Sequence, residues 1–493
     1  MKRLNLFIIA LVVTAPSIFG GGLVTNVNGS AAWARTLSRD ASTDVDAVYF
    51  NPAGLAQLKN GLHLSLSNQS IFQTRTITSS YPLLTSAPGS TTYEAELTAP
   101  LFPSFYAAYK MEKWTFSAGF NIIGGGGSAD FESGIPTIET QIASIGASLA
   151  PIDAAVLEAT GGTLDPGFRN VSGYTIDKMA FNGSSRYYGI QAGATYAITD
   201  MISVALGARY VTVNNSYEGT TDGITIDAPA VYGGTQPPGT YLRTVAGTPG
   251  LPAEVVAGLN YSAAGLDLIS TDGELVAVQE GSGFTPIIGV NINLMDKINI
   301  AAKYEHHTKI ELINDTEVDD VGMFPDEETS RADLPGMFAL GAQVTPIDKL
   351  SVSVGFNYFL DKPAYYGNME RDEVTDEKIS DINNETTIDE NAYTISASLE
   401  YKLLGILGLS AGFSTGNLGV NDDYQSDLNY ALKSSSVAGG VFVDVGEMLT
   451  INAGVVYVMY DDYEKSYTAP FDATSEIYGK KTTIFAIGVD ISL

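Results

Sequence analysis

The stretch Leu449–Tyr460, LTINAGVVYVMY, decides the fold class, because the character of its side chains alternates from one residue to the next. One face carries Leu449, Ile451, Ala453, Val455, Tyr457 and Met459, and the other carries Thr450, Asn452 and Gly454. Successive side chains of a β-strand point to opposite faces, so this period of two predicts a strand with one apolar face. The stretches 350–359 and 393–401 repeat the arrangement.

The small second face separates a membrane barrel from a soluble β-sandwich. A sandwich turns a polar face to water and buries a face of large apolar side chains. Here the face opposite the apolar one is filled with Gly, Ala, Ser, Thr and Asn, which are too small to build such a core. The apolar face is therefore predicted to meet lipid, as in transmembrane barrels.

Short and long connections alternate between the strand-like runs, and counting the runs that they separate gives the number of strands. Very short connectors at 111–113, 199–201, 295–297, 347–349, 404–406 and 446–448 alternate with long segments rich in Gly, Pro, Asp and Asn. This asymmetry is typical of outer-membrane barrels, which have short periplasmic turns and long external loops. The predicted strands are 60–76, 100–110, 113–124, 182–198, 201–219, 283–294, 297–313, 335–346, 349–361, 391–403, 406–415, 435–446, 448–461 and 481–493. The fold class is thus all-β, an antiparallel barrel of fourteen strands.

Two segments precede the first strand. Lys2 and Arg3, followed by an apolar run and small residues, predict an export signal peptide over residues 1–20. Residues 21–59 are small and polar and do not alternate, so they cannot form a lipid-facing strand. Because the lumen of a fourteen-stranded barrel is too wide for its own side chains to fill, we predict that 21–59 plug it. The barrel itself is predicted to span 60–493.

The plug contains three distinctive runs, GGLVTN at 21–26, SAAWAR at 30–35 and DVDAVYFNPAGL at 44–55. Together they resemble the hatch of the FadL/TodX transporters of hydrophobic compounds. The hatch motif is Asn51, Pro52, Ala53 and Gly54, and the residues expected beside the ligand pocket are Leu23, Val24 and Phe50. Leu23 lies where members of the family can present an aromatic side chain.

The family resemblance implies a passive route. A ligand binds an external apolar groove, passes to a lumenal pocket closed by the hatch, and leaves sideways through an inward kink in the third strand. Gly124, Gly125 and Gly126 at the end of the third predicted strand are candidates for this kink, since glycine tolerates bulges. A flexible start to the following loop is the alternative interpretation of these glycines.

Two long loops contain apolar residues at helical spacing. An amphipathic pattern in each predicts short helices that form an external groove for alkyl chains. The candidate groove residues are Ile138, Ile142, Ile145, Leu149, Val255 and Leu259. Helices that pack together to seal the mouth would show the same pattern, and this alternative stays open.

Arg209 and Lys303 are candidate anchors for a ligand carboxylate. Alternation along their strands places both side chains on the inward face, where a cation is unusual in so acidic a chain. The alternative is that each pairs with an inward acid such as Glu305 or Asp444.

Composition excludes several classes of function. The net charge of −30 disfavours nucleic acid as a partner, and the absence of cysteine excludes disulfides and thiolate metal sites. The three histidines, His63, His306 and His307, have no recognisable nucleophile nearby, so neither catalysis nor a metal or cofactor is expected. The acidic loops are predicted to be solvated, with cation bridges to lipid headgroups as the alternative.

The sequence as a whole predicts a passive transporter in a Gram-negative outer membrane. Its ligand would be a hydrophobic small molecule, with long-chain fatty acids as the first choice. A porin for polar solutes and a structural or adhesive barrel are the alternatives. Other expected partners are outer-membrane lipid, lipopolysaccharide and the barrel assembly machinery, and the family resemblance implies a monomer.

Overall fold

The computed structural model describes residues 23–84, 91–131, 134–163, 165, 167, 171, 173–295, 297–320, 322–372, 375, 377–427, 429–467 and 474–493. The predicted signal peptide, 1–20, lies outside these residues. Side chains at 126–130, 137, 138, 141, 147, 148, 150, 151, 153, 155, 268 and 269 are also outside the description.

Fourteen strands within the described residues form one closed antiparallel barrel, as predicted. Three of the strands contain an interruption and are given as two segments. The strands are β1 (Gly61–Ser79), β2 (Thr91–Met111), β3 (Trp114–Phe131), β4 (Lys178–Ala197), β5 (Ile202–Asp222), β6 (Gly273–Leu294), β7 (Ile298–Glu305 and Glu311–Asp319), β8 (Thr329–Arg331 and Gly336–Ile347), β9 (Leu350–Leu360), β10 (Tyr393–Lys402), β11 (Leu407–Asn417), β12 (Ser434–Val445), β13 (Leu449–Tyr460 and Tyr463–Tyr467) and β14 (Thr474–Ser492).

Pairing of the first and last strands closes the wall. β1 pairs with β14 from His63↔Ser492 to Ser79↔Glu476, and each of the other strands pairs with its neighbours in chain order. The short connectors lie at one end of the barrel, called here the turn end, and the long connections lie at the opposite, loop end. Glu112, Met295 and Gly446 in the connectors have positive φ angles, as tight hairpin turns require.

The two faces of the wall match the predicted alternation. On β10, Ile395 and Leu399 are half exposed on the outside, whereas Thr394, Ser396 and Ser398 are buried inside. Large apolar side chains continue around the outer surface, among them Leu66, Ile190, Leu206 and Phe284. An exposed apolar area of this extent is unfavourable in water and favourable against lipid.

Several strands reach further toward the loop end than the alternation predicted. β2 begins at Thr91, β6 at Gly273 and β14 at Thr474. The apolar pattern marks only the part of a strand that meets lipid, so strand ends beyond the membrane carry no such signal. The predicted strand 297–313 is wrong in one detail, because its pairing is interrupted between Glu305 and Glu311.

Residues 23–59 lie inside the lumen and are called the hatch. They form α1 (Ala31–Thr36), α2 (Ala47–Phe50) and a 3-10 helix (Pro52–Gln57), and nearly all of them are buried. Ser30 caps α1 by accepting a hydrogen bond from the backbone N–H of Trp33. At the loop end lie α3 (Pro136–Ala143), α4 (Ile145–Ala159), α5 (Pro238–Ala246) and α6 (Ala253–Ser270).

The described helices are all either too short or too polar to span a bilayer.

Glycines on the inner wall let the hatch backbone approach closely. A Cβ on Gly412 would lie 2.0 Å from the carbonyl oxygen of Thr36, and one on Gly341 would lie 2.5 Å from the backbone nitrogen of Ala41. Gly454 is similarly close to Arg35. The inner face of the wall consists of small residues, which argued against a sandwich core. In the structure these residues leave space for the hatch.

This contact gives a first prediction. Gly412→Val would place methyl groups where the Thr36 carbonyl lies, so we expect α1 to move off the wall while the barrel still folds. Conductance in planar bilayers and the rate of proteolytic cleavage within the hatch should both rise. Ala411→Val is the matched control, since Ala411 faces outward, and identical behaviour of the two variants would contradict the expectation.

Candidate functional site

The Asn-Pro-Ala-Gly motif fastens the hatch to the wall at the turn end. The Asn51 side-chain amide donates to the carbonyl of Ser42 at 3.1 Å and to Oδ1 of Asn291 on β6 at 2.7 Å. The Pro52 carbonyl accepts from Thr195 Oγ1 at 2.7 Å, and the Ala53 carbonyl accepts from Ser203 Oγ at 2.7 Å. The motif thus satisfies buried backbone groups with wall side chains.

Gly54 completes the motif by allowing the chain to fold back on itself. A Cβ at this position would lie 2.2 Å from the Ser42 carbonyl oxygen and 2.6 Å from Nδ2 of Asn51. Both atoms belong to the hydrogen bond that fixes Asn51, so a larger residue would break the anchor that the motif provides.

A buried ion pair organises the middle of the hatch. Arg39 donates to both carboxylate oxygens of Asp46, through Nε at 2.9 Å and Nη2 at 2.7 Å. Ser30 Oγ and Ser42 Oγ also donate to Asp46, at 2.8 and 2.6 Å. Burial alone would raise the pKa of Asp46, but the Arg39 charge and these donors hold the pKa below its usual range. The ion pair connects α1, the following loop and the start of α2.

A second group of charges joins the hatch to the wall. Arg35 on α1 pairs with Glu400 on β10 and donates to Ser410 at 2.6 Å and Asn452 at 2.9 Å. Glu400 was visible in the sequence as the one acid on the small face of 393–401, and that was a signal for an inward partner. The hatch partner itself could not be predicted from alternation.

The two predicted carboxylate anchors meet at one internal acid. Arg209 forms two hydrogen bonds with Glu305, at 2.7 and 3.0 Å, and Lys303 donates to the same carboxylate at 2.8 Å. Lys303 also donates to the carbonyl of Tyr49, whose ring lies 5.1 Å from the Arg209 guanidinium carbon. A ligand carboxylate would have to compete with Glu305 here, so the anchor role stays a prediction.

The N-terminal end of the hatch pairs with β3. The backbone N–H of Asn26 donates to the carbonyl of Ile123 at 2.8 Å, and its side-chain amide donates to the carbonyl of Gly125 at 2.8 Å. Thr25 and Gly124 form an antiparallel bridge. Leu23, Val24 and Phe50, the predicted pocket residues, are buried in the apolar cluster that surrounds this contact.

The glycine run lies inside β3 and not at its end, because the strand continues to Phe131. Pairing with β4 shifts register twice here, between Ile122 and Gly124 and between Gly125 and Gly127. Gly125 has a φ of +60°, which glycine adopts without strain. The glycines therefore lie within a paired strand and do not end it, and their role as a kink stays a prediction.

The wall is unpaired beside this irregularity. β2 and β3 pair at Leu97↔Ala129 and again at Ser104↔Asn121, with no pairs between them. On its other side, β2 has a register shift in its pairing with β1 between Gln69 and Ile71, and there the Pro100 carbonyl accepts hydrogen bonds from Asn68 at 3.1 Å and Ser70 at 2.9 Å. The intervening residues of the two strands are called here the β2–β3 gap, and the N-terminal end of the hatch binds its β3 edge.

The loop helices share a core of their own. Ile142, Ile145, Leu149 and Leu259 are buried together, and Val255 packs against them at partial exposure. The side chain of Ile138 lies outside the described residues. The candidate groove residues are thus brought together, although their apolar faces are turned toward one another.

Solved structures match the chain, whereas neither family profiles nor curated protein sequences do. A Pseudomonas aeruginosa FadL homologue aligns with a TM-score of 0.59 at 11% identity, over 96% of this chain and 100% of its own. The P. putida toluene transporter TodX aligns with a TM-score of 0.54 at 14% identity, over 93% and 99%. The chain has the FadL/TodX fold.

At this level of identity the likeness concerns the fold. It confirms the predicted fourteen-stranded barrel, which the FadL/TodX structures match over nearly the whole chain. The ion pair within the hatch was not predicted, because it joins residues of a segment with no regular periodicity.

The buried ion pair of the hatch gives a second prediction. Asp46→Ala would leave Arg39 buried without its main partner, so the free energy of local hatch unfolding should fall by about 3–5 kcal/mol. Hydrogen exchange of the α1 and α2 amides measures this change. Asp44→Ala is the control, because the Asp44 side chain is 65% exposed and its removal should cost about 1 kcal/mol or less. Equal losses in the two variants would contradict the assignment.

Proposed function

We propose that this protein is a passive outer-membrane channel for hydrophobic molecules, with long-chain fatty acids as the first candidates. The observation that carries the proposal is the β2–β3 gap, which is edged by the N-terminal end of the hatch. Unpaired strands in the apolar part of a membrane are unfavourable, since lipid cannot replace the missing hydrogen bonds. Here residues of the hatch supply hydrogen bonds to the β3 edge, which favours an opening that the hatch covers.

The lining of the gap fits an apolar ligand. Ala99 and Phe102 on β2 and Ile122 and Ile123 on β3 are buried and belong to the same apolar cluster as Leu23 and Val24. An apolar molecule in the lumen could leave between these side chains without exposure to a polar surface. The apolar core shared by the helices at the loop end is the corresponding candidate for the site where the ligand is first captured.

The solved structures support the same function by analogy. The proteins with this fold include one described as a FadL homologue and one described as a toluene transporter. The second is described as a transporter of a hydrophobic molecule, and the proposal extends that kind of activity to this chain. Transfer through the gap would need no nucleotide or ion gradient, since an apolar ligand moves down its own concentration gradient.

Bound ligand and conductance together test the proposal. We expect an apolar molecule to extract with the purified protein, as identified by mass spectrometry, and planar-bilayer conductance to be low. High steady conductance without a bound apolar molecule would favour a water-filled porin. Low conductance, no bound molecule and no uptake of fatty acid into proteoliposomes would favour a structural or adhesive barrel.

Asn26 tests the coupling between the hatch and the gap. Asn26→Ala leaves the Gly125 carbonyl without its donor and should destabilise the docked N-terminal end of the hatch by about 1–3 kcal/mol. Fatty-acid uptake into proteoliposomes should become faster, and amide exchange at Thr25 and Asn26 should accelerate.

Asn28→Ala is the matched control. The Asn28 side chain donates to Gln69 on β1 at 3.1 Å and does not contact the gap in the described structure. Faster uptake with Asn28→Ala, but not with Asn26→Ala, would count against gating at β3.

A further inference from the structure

The buried cations of the described residues fall into two groups. Arg35, Arg39, Arg209 and Lys303 each pair with a carboxylate. Arg75 and Lys480 are as deeply buried, at 2% and 6% exposure, and neither forms an ion pair with a described residue. Nε and Nη2 of Arg75 have no hydrogen-bond partner in the described part of the chain. This is unusual for a chain with 56 acidic and 26 basic residues.

The two unpaired cations are neighbours on the inner wall. Arg75 on β1 lies directly opposite Lys480 on β14. Opposite residues of an antiparallel pair have their Cβ atoms about 5 Å apart, so the two charges repel one another. Burial of two adjacent like charges is costly unless an anion lies between them.

Aromatic rings are the groups that contact these cations. The Tyr430 ring centre lies 4.4 Å from the Arg75 guanidinium carbon and 5.1 Å from Lys480 Nζ. Phe131 lies 6.0 Å from Arg75, and Tyr460 lies 5.5 Å from Lys480. The Tyr430 hydroxyl donates to the carbonyl of Gly479 at 3.0 Å, which fixes the ring over both cations. Cation–π contacts compensate only part of a lost ion pair.

The nearest acid on the same strand is engaged elsewhere. Glu476 accepts hydrogen bonds from the hydroxyls of Tyr478 at 2.6 Å and Tyr467 at 3.0 Å. It is therefore held by tyrosines and does not neutralise Lys480. Within the described residues, the rings of Tyr430 and Tyr460 lie beside Lys480 and no carboxylate pairs with it.

The position of the pair suits a ligand on its way to the hatch. Gln69, three inward positions before Arg75, contacts the hatch at Asn28, so the cations lie roughly 20 Å further along β1 in the direction of the loop end. Between these levels lie first the Gln73–Thr482 pair, hydrogen-bonded at 2.8 Å, and then Ile71 opposite Ile484. Beyond the cations Ile77 lies opposite Tyr478, so apolar side chains lie on both sides of this polar level of the lumen.

We propose that Arg75 and Lys480 bind the carboxylate of an acidic amphiphile whose apolar tail lies along the Ile71–Ile484 side of the lumen. This inference rests on the proposed function and narrows it, because it selects a carboxylic acid over a neutral hydrocarbon. Both cations donate to the carboxylate oxygens. The site is separate from the Arg209–Glu305–Lys303 group, in which a carboxylate of the chain is already bound.

Binding of a matched acid and ester tests the inference. The affinities of dodecanoate and of methyl dodecanoate are measured at neutral pH by titration calorimetry with the full-length protein in non-ionic detergent. Arg75→Met with Lys480→Met should weaken dodecanoate binding about ten- to a hundredfold, since charge-assisted hydrogen bonds are lost. Binding of the ester should stay unchanged. The double variant should also melt at a higher temperature than the natural protein, because it no longer buries two like charges.

Two further variants control for charge and folding. Lys59→Met with Lys402→Met removes two exposed charges at the turn end and should leave both affinities unchanged. Arg75→Lys with Lys480→Arg exchanges the cations and should retain most of the dodecanoate affinity. Loss of affinity for acid and ester alike in this exchange variant would mean that packing, not charge, matters, and would overturn the inference.

The failure of the inference and the failure of the proposed function give different results. If the natural protein binds acid and ester, and the double Met variant binds both equally well, the inference is wrong while hydrophobic transport stands. If the natural protein binds neither ligand, the proposed function itself fails.

Discussion

Backbone groups that cross the apolar part of a membrane must find their hydrogen-bond partners inside the protein. Closure of β1 on β14 meets this requirement around most of the wall. At the β2–β3 gap the hatch contributes, because Asn26 binds the backbone of β3 at Ile123 and Gly125. The hatch is thus more than a filling of the lumen, because it completes the hydrogen bonding of the wall.

Local periodicity was sufficient to predict most of this architecture. A period of two identifies strands and assigns each side chain to a face, as the buried Thr394 and exposed Ile395 confirm. Short connectors identify the turns, and the lack of any period in 23–59 identifies the segment that cannot belong to the wall. These signals arise because lipid on one side and a crowded lumen on the other impose opposite demands on neighbouring residues.

The details of the site depend on contacts that alternation does not encode. The alternation of inward and outward side chains placed Arg209 and Lys303 inside the barrel. It could not show that both pair with Glu305, since the pairing depends on which strands are adjacent. Likewise, the glycines of β3 were recognised, but their position in mid-strand follows from pairing with β4 beyond the lipid-facing region. Partners of the buried charges are set by the three-dimensional arrangement, and a single sequence without its fold leaves them undetermined.

The N-terminal end of the hatch binds the edge of β3 and is covalently linked to the same barrel, so it competes with any other molecule for that edge. Anything else that occupies the edge at Ile123–Gly125 must displace Thr25 and Asn26, which stay linked to α1 by only a few residues. A segment held on so short a linker acts at an effective concentration on the order of millimolar. A molecule that binds this edge weakly or is present at low concentration therefore does not displace the hatch segment. Displacement requires a molecule that binds the edge more favourably than the tethered segment does.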